Sequence, residues 1–349
     1  MKIAFGLGLA ATLALSAMTL SAQSNCAPVP SSYTITDLGT LGGTGSYAAA
    51  VNTSGAVTGE SEIAGDAEEH AFLWTASGGM QDLGVLSGGN YSGGLAINSN
   101  GDVVGTAGVA NNGTHAFLWT SAGGLKDLGT LTGAGGFSYA TGIDDHERIV
   151  GTSSAQGYPN GVAVVWSGST IHNLGTIAGT FSEAYAINDK FQIAGTSSTA
   201  TSLDGFLWTK AGFKDLGQIG GGDGSVALAL NNFGMVAGYN SQGIAATPVA
   251  VVWNKNGIHV VGNLGGDWGS ADAVNDQCQV VGYSLLSDTI HEHAFIWSPG
   301  GGTQDLNKLI PGGSGWVLTL ANGMNASGQI VGQGTIAGAG HGYLLTPVP

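Results

Sequence analysis

The sequence predicts an all-β fold in which one four-stranded unit is copied seven times. First, an Asp-Leu-Gly segment, varied to Asn-Leu-Gly at 173, Val-Val-Gly at 260 and Asp-Leu-Asn at 305, returns at intervals of 42 to 46 residues. Second, each copy holds four short runs of β-forming residues separated by glycine-rich turns. A fixed period of this size indicates one supersecondary unit repeated along or around an axis. The copies start near 37, 82, 127, 173, 215, 260 and 305.

The second copy shows the unit most clearly. Residues 94–98 form a short apolar strand, the Ser-Asn-Gly turn follows, and the β-branched run 102–106 is a second strand. Residues 115–120 alternate large and small side chains, as a third strand does, and 125–131 give a fourth. Four short antiparallel strands per copy are typical of a propeller blade.

The two ends of the chain predict how the ring closes. The seventh copy ends with its third strand at 342–346, and residues 33–38 match the fourth strand of the other copies. An N-terminal strand that completes the last blade would remove an exposed sheet edge. We therefore predict a seven-bladed β-propeller over 32–349, preceded by a linker at 23–31.

Residues 1–22 have the pattern of a secretory signal peptide. Lys2 gives the positive start, residues 3–15 are apolar, and Ser21-Ala22 offers a small-residue cleavage site. No later stretch is apolar enough to cross a bilayer. The prediction is a protein secreted to the extracellular space or held in the periplasm.

Composition excludes several partner classes. The formal net charge is −15, and the eight Lys and Arg residues do not cluster. Nucleic acids and anionic membrane surfaces both require a basic patch, so neither is expected to bind. Acidic loops would be compatible with calcium, but no Asp-x-Asp-x-Asp loop supports it. We predict no metal and no cofactor, and a monomer.

Three residue types return in every copy and suggest scaffold roles. An Asn or Asp ends each first strand, where its side chain can bond the backbone two residues on. A glycine stands in each second strand, which suggests close approach of a neighbouring backbone or a large side chain, and the third-strand aromatics are the expected neighbour. Those aromatics, such as Phe72 with Trp74 and Phe117 with Trp119, should form the core between blades.

These patterns resemble a known family. The segments HAFLW at 70–74 and 115–119 and HAFIW at 293–297, with the AIN and DVVG segments of the second copy, resemble the HAF-type extracellular repeat proteins of bacteria. The match spans 33–346 and departs from the pattern in the third to fifth copies. The resemblance implies a secreted or surface-associated repeat protein, with no established reaction.

Candidate catalytic residues have mostly structural explanations. His70, His115, His293 and His341 share one strand position in neighbouring copies, which would place them too far apart for one metal. No Gly-x-Ser-x-Gly motif is present. Cys26 and Cys278 would meet on one face of the propeller, which suggests a disulfide in an exported chain. No catalytic residue is therefore predicted.

Variation among the copies gives the functional prediction. The loops between second and third strands differ in every copy, and the loops between copies share their face. Aromatic side chains on that face could stack on sugars or anchor a protein, or fold back over the blade ends. The ligand-binding candidates are Tyr91, Phe137, Phe181, Trp268 and Trp316.

Two functions from different classes remain. The first is a secreted or cell-surface interaction module that binds a glycan or a surface protein through this loop-rich face. The alternative is a carbohydrate-active enzyme, a glycoside hydrolase or lyase, that uses carboxylates of the same face as acid and base. The carboxylates considered for it are Asp66, Glu183, Asp223 and Asp267.

Overall fold

The computed structural model describes residues 26–65, 68–110, 113–133, 135–154, 161–220, 222–242 and 247–349. The predicted signal peptide lies outside these residues. Within them the chain is built of strands, with short 3-10 turns such as Leu306–Lys308 and no α-helix. No helix in this part of the chain has the length and apolar character needed to span a membrane.

The strands follow one another in antiparallel groups of four. The first strand, β1 (Tyr33–Asp37), stands apart from the groups that follow it in sequence. The next three groups are β2 (Gly42–Val51), β3 (Val57–Ile63), β4 (Glu69–Thr75) and β5 (Gly79–Asp82); β6 (Ser92–Ile97), β7 (Val103–Val109), β8 (Gly113–Thr120) and β9 (Gly124–Gly129); and β10 (Phe137–Ile143), β11 (Ile149–Ser154), β12 (Val162–Ser167) and β13 (Thr170–Gly175).

The fourth and fifth groups belong to one eight-stranded sheet. They are β14 (Ser182–Ile187), β15 (Ile193–Ser198), β16 (Leu203–Thr209) and β17 (Gly212–Asp215); and β18 (Gly224–Leu230), β19 (Val236–Gln242), β20 (Thr247–Asn254) and β21 (Gly257–Val260). A single parallel residue pair, Leu203 with Gly224, joins the two halves.

The last two groups include the strand that the N-terminus supplies. They are β22 (Gly265–Val274), β23 (Val280–Leu286), β24 (Glu292–Ser298) and β25 (Gly302–Asp305); and β26 (Trp316–Met324), β27 (Ile330–Ile336) and β28 (Ala339–Pro347) with β1. The register of β1 on β28 runs from Tyr33 opposite Pro347 to Asp37 opposite Tyr343. The first strand of the chain therefore covers the edge of the last sheet, as the sequence predicts.

The hydrophobic core lies between successive groups. Each of seven buried clusters among the described residues draws side chains from two neighbouring groups. The third-strand aromatics are central to them: Phe72 and Phe117 are fully buried. One cluster joins Phe72 and Trp74 of the first group to Val331 and Leu344 of the last. Truncating such a ring typically costs about 3–5 kcal/mol, so the aromatic positions are copied for packing.

The nearest neighbour of each second-strand glycine is a backbone group of the inner strand, whereas the third-strand aromatics were the expected choice of the two alternatives. A Cβ built at Gly59 would overlap the backbone carbonyl oxygen of Tyr47, and the equivalent glycines meet the same inner-strand carbonyl. The inner strand carries a register shift one residue on, between Ala48 and Ala50. The glycine thus accommodates a β-bulge in the first strand, and at Gly195 and Gly332 the third-strand aromatics Phe206 and Tyr343 are close as well.

The Asn and Asp residues that end the first strands form a ring. Oδ1 of Asn52 accepts from the amides of Ser54 and Ala56, which shapes the turn as expected. Nδ2 of Asn52 also donates to the carbonyl of Asn98 in the next group, at 3.0 Å. Equivalent bonds start from Asn98, Asn188, Asn231, Asn275 and Asn325, and the last returns to Asn52.

The segment before β1 is fastened to the same face. Cys26 and Cys278 form a disulfide whose Cα atoms are 4.9 Å apart. The amide of Ala27 donates to the carbonyl of Gln277, and Nε2 of Gln279 donates to that of Pro28. Residues 26–31, predicted as a linker, are therefore attached to the turn of the sixth group.

Candidate functional site

A passage runs between the first strands of the groups and has three layers. The end next to the turns is lined by the Asn and Asp ring and by Asp145, Asp189 and Asp276 beside it. These carboxylates accept from backbone amides of neighbouring turns, as Asp145 does from Ser99 at 2.9 Å. An apolar collar follows: Val51, Ile97, Ile143, Ile187, Leu230, Val274 and Met324. Both layers repeat the copied pattern.

The opposite, loop-rich end widens into a cavity of about 630 Å³, which we call the wide-end cavity. This volume falls in the usual range for small-ligand sites. Its walls depart from the repeat, because the residue three places before each Asn or Asp differs in nearly every copy. These residues are Ala49, Leu95, Thr141, Tyr185, Leu228, Asp272 and Asn322. Tyr47, Trp268, Tyr283, Glu292 and Leu320 complete the lining.

Glu183 is held beside this cavity by two tyrosines. Its side chain is buried in β14, and its two carboxylate oxygens accept from the hydroxyls of Tyr139 and Tyr185. Burial and the nearby carboxylate raise the pKa of Tyr185 well above its ordinary value, so the phenol stays a donor. The arrangement fixes the Tyr185 ring against the cavity wall.

Asp272 contributes a carboxylate to the wall of the cavity. Removal from water raises the pKa of Asp272 to about 7, and a hydrogen bond from Ser270 Oγ to its Oδ1, 2.6 Å long, opposes the rise. Its second oxygen accepts no hydrogen bond from the described residues. A carboxylate that is half-satisfied in a cavity is available to a ligand.

Other polar groups around Asp272 also lack hydrogen-bond partners in the described part of the chain. The hydroxyls of Tyr47 and Tyr283 and the carboxylate of Glu292 lie around the cavity without one. Asp272 is close enough to both tyrosines to raise the pKa of each. Trp268 stands edge-to-face on Tyr283, with ring centroids 5.2 Å apart. Unpaired polar groups with an aromatic wall are what a binding site offers.

The charged residues that line the wide-end cavity are all acidic. None of its described lining residues is Lys, Arg or His. Glu60 lies opposite Tyr47 on β3, and burial together with the neighbouring Glu69 raises the pKa of Glu60. The cavity therefore presents acceptors and negative charge, and its donors are neutral: the tyrosine hydroxyls, the Trp268 indole N–H and the Asn322 amide.

The predicted aromatic candidates separate into different environments. Trp268 lines the cavity, while Phe137 stacks on Tyr139 with centroids 5.8 Å apart and so supports the Glu183 network. Tyr91 is exposed and its hydroxyl bonds Thr114, and Phe181 is half-buried. Trp316 is 9% exposed and packs on Tyr343 in the core, so it is not a surface residue as predicted.

The carboxylates considered for an enzyme do not converge. Asp66 lies outside the described residues, and Asp223 and Asp267 are exposed on loops or strand ends. Of the three carboxylates that the structure describes, Glu183 alone borders the cavity, through its bond to Tyr185. No group of three metal-ligating side chains is found within the described part of the chain. The repeated histidines bond outer-strand aspartates, as His70 does Asp82.

Sequence reasoning missed Tyr47, Tyr185, Asp272, Tyr283 and Glu292. The sequence does contain an indication of these residues, because a residue with a functional role should differ from the residues at the same position of the other copies. Aligning the copies on the Asn or Asp and reading three residues back gives Ala, Leu, Thr, Tyr, Leu, Asp and Asn. The prediction followed the loops between strands instead of the inner strand.

Comparisons with known structures agree with the fold. The chain is similar to the β-propeller domain of the trilobed protease of Pyrococcus furiosus, with a TM-score of 0.54, 9% identity, and coverage of 87% of this chain and 96% of that one. It is also similar to the acylaminoacyl peptidase of Pyrococcus horikoshii, with a TM-score of 0.54, 10% identity, and coverage of 88% of this chain and 52% of that one. The chain is thus a β-propeller protein.

A further structure is matched more weakly. TolB of Acinetobacter baumannii gives a TM-score of 0.47 at 13% identity, and the match covers 73% of this chain and 61% of TolB. The chain thus matches less than two thirds of the length of both TolB and the acylaminoacyl peptidase. No protein-family model matches the sequence, and no curated protein matches it.

Proposed function

We propose that this chain is an exported, seven-bladed β-propeller that binds a ligand in the wide-end cavity and acts as an interaction module. The blade count is supported by the seven Asn and Asp positions in the ring and by seven inter-group clusters. The eight-stranded sheet counts as two blades, because the strand pairing between its halves is one parallel residue pair.

The proposal rests on the composition of the cavity wall. The turn end and the collar repeat the same chemistry in every copy, whereas the wide end gathers Tyr47, Tyr185, Trp268, Asp272 and Tyr283 from positions that differ among copies. A closed ring does not need such variation. Polar groups left without partners beside aromatic rings fit a site that a ligand completes.

Export and family membership belong to the same proposal. The pattern of residues 1–22 and the Cys26–Cys278 disulfide fit an oxidising compartment outside the cytosol. The HAFLW segments support membership of the HAF-type extracellular repeat proteins. On this proposal the ligand is a glycan or a group on a surface protein.

Glycan and peptide arrays probed with labelled protein test the proposal. Trp268→Ala removes an aromatic wall of the cavity and should abolish the binding that the wild type shows. Two controls should retain it: Tyr91→Ala, an exposed ring on the same face, and Phe233→Ala, which is 60% exposed and lies next to the Asn231 turn. Binding that survives Trp268→Ala and is lost in a control would overturn the placement.

A carbohydrate-active enzyme is the second candidate function, and Asp272 is the observation in its favour. A carboxyl group with a pKa of about 7 can act as a general acid near neutral pH. Incubating any glycan that binds and analysing the products separates the two functions. Turnover that disappears in Asp272→Asn, with binding retained, would favour the enzyme over the module.

A further inference from the structure

We propose that the wide-end cavity recognises an organic cation, an alkylammonium or guanidinium group carried by the ligand. This inference rests on the proposed function and specifies the chemistry of its ligand. A lysine side chain and an arginine side chain share that chemistry, and a quaternary ammonium shares its positive charge but has no N–H donor. The inference goes beyond the aromatic loops, which by themselves would serve neutral sugars equally well.

Charge is the first argument. Asp272 and Glu292 line the cavity, Glu183 borders it, and Glu60 lies beside Tyr47, while no Lys, Arg or His is found among the described lining residues. A cation would thus meet no like charge in the wall, whereas an anion would meet several. In a cavity partly screened from water, such a preference is stronger than at an open surface.

Unsatisfied acceptors are the second argument. Asp272 Oδ1 is taken by Ser270, but its Oδ2 and the Glu292 carboxylate accept nothing from the described residues. Glu183 differs, because both its oxygens are occupied by tyrosine hydroxyls. An ammonium group has three donors and no acceptor, and a guanidinium has five donors. Either would donate to these carboxylate oxygens, which the donors already present in the wall leave without a hydrogen bond.

The aromatic rings are the third argument. Tyr47, Tyr185, Trp268 and Tyr283 line the same cavity as Asp272. A cation over the face of such a ring gains electrostatic attraction, most strongly with Trp, when it is removed from water. Carboxylates combined with several aromatic rings therefore favour a cation over a neutral group of equal size.

The direction of the pH dependence follows from the same groups. Protonation of Asp272 below about pH 7 removes the charge that faces the ligand. The other ionisable groups of the cavity are Glu292 and the phenols of Tyr47, Tyr185 and Tyr283. Behind them lie Glu60 opposite Tyr47 with Glu69 as its neighbour, Glu183 bonded to Tyr185, and Tyr239 near Tyr283. Burial raises the pKa of Tyr47, Tyr185 and Tyr283, so these three stay neutral across the range that matters. Cation binding should weaken as the solution is acidified.

Isothermal titration of the folded chain with three cationic probes tests the inference: acetyl-Gly-Lys-Gly-amide, acetyl-Gly-Arg-Gly-amide and choline. The norleucine tripeptide, which has the same shape as the lysine peptide without its charge, is the neutral control. At about pH 8.5 at least one cation should bind about tenfold or more tightly than the norleucine peptide, and at about pH 5.5 that advantage should shrink. The comparison of the three probes identifies the preferred source of the cation.

Asp272→Asn should reduce cation affinity about tenfold or more and flatten its pH dependence. The variant is expected to fold, because Asn322 already occupies the equivalent position in β26. Asp267→Asn, an exposed carboxylate on the same strand, is the matched control and should change affinity little. An equal loss of cation affinity in both variants would show that the protein's net charge, and not Asp272 itself, controls binding, and it would overturn the inference.

The inference and the proposed function fail in different ways. If no cationic probe binds, but a neutral ligand from the arrays binds the wild type and not Trp268→Ala, the preference for a cation is refuted. The proposal of a binding module then still stands. Array binding that ignores the cavity variants refutes the module and the inference with it. Melting temperatures of all variants show whether a loss of binding reflects unfolding.

Discussion

His341 Nδ1 lies 3.0 Å from both carboxylate oxygens of Asp37, which joins the third strand of the last group to the first strand of the chain. The same pair occurs within single groups, as His70 with Asp82 and His115 with Asp127. The N-terminal strand therefore takes the place of an ordinary fourth strand and makes the same His–Asp hydrogen bond as the fourth strands of other groups.

Asp37→Ala should loosen this closure. Both partners are partly exposed, so we expect the free energy of unfolding to fall by no more than about 1 kcal/mol. Amide hydrogen exchange should quicken in β1 and along its partner β28. Asp82→Ala breaks the equivalent pair within the first group, and its effect should stay in β4 and β5. Unchanged protection of β1 in Asp37→Ala would contradict the role of the pair.

Two buried tyrosines in the last group predict opposite responses to loss of a hydroxyl. The hydroxyl of Tyr33 is buried with no partner among the described residues, while that of Tyr343 donates to the carbonyl of Leu320 at 2.7 Å. Tyr33→Phe should leave stability unchanged or raise it, and Tyr343→Phe should cost about 1 kcal/mol. Chemical denaturation of both variants measures the difference, and a larger loss in Tyr33→Phe would contradict the burial described.

Asp144 interrupts the ring of asparagine donors, and Arg148 compensates for it. The Asp144 side chain is 1% exposed, and Arg148 Nε donates to its Oδ2 while Nη2 donates to the carbonyl of Asp189. Arg148→Ala leaves a buried carboxylate unpaired and should cost about 3 kcal/mol. In an Asp144→Asn background the same change should cost under about 1 kcal/mol, because the amide can donate as its equivalents do.

A double-mutant cycle by urea denaturation measures that coupling. Gln192, which bonds Asn188 at the next position of the ring, provides a neutral comparison through Gln192→Ala. Additive losses in the Asp144 and Arg148 cycle would show that the arginine does not serve the buried charge.

Asp272 should make the protein less stable as the pH rises. Its pKa is raised to about 7 in the fold from an ordinary value near 3.8, so between these values the folded chain holds a proton that the unfolded chain has released. Stability from this group is full below about pH 4 and falls until about pH 7, by roughly 4 kcal/mol.

Asp272→Asn removes this contribution to the pH profile. The variant should be more stable than the wild type at about pH 8 and should match it near pH 4, when stability is followed by denaturant titration at several pH values. Parallel profiles for the two proteins would show that Asp272 does not titrate in this range.

Much of the fold could be read from the sequence because the copies constrain it. The turn role of Asn52 and the burial of Phe72 each follow from a local rule repeated seven times. The bulge opposite Gly59 could not be read, because a glycine reports that something is close without reporting what. The bond from Asn52 to Asn98 joins two copies in space, and the sequence pattern shows only the turn within each.

The binding site was less readable for a related reason. Trp268 was predicted from its loop, but Asp272 and Tyr185 stand on inner strands whose neighbours suggest plain core. Trp316 was misplaced because its position near a loop resembles that of Trp268, although its ring turns toward Tyr343. Which side of an inner strand faces the passage depends on the bulge, and the bulge is a property of the paired strands.

A crystal structure of the protein soaked with the strongest ligand from the arrays tests the central claim most directly. The account predicts ligand density in the wide-end cavity, in contact with Trp268 and within hydrogen-bonding distance of Asp272. Density on the turn end near Phe233, or on the outer strands, with the cavity unchanged, would contradict it.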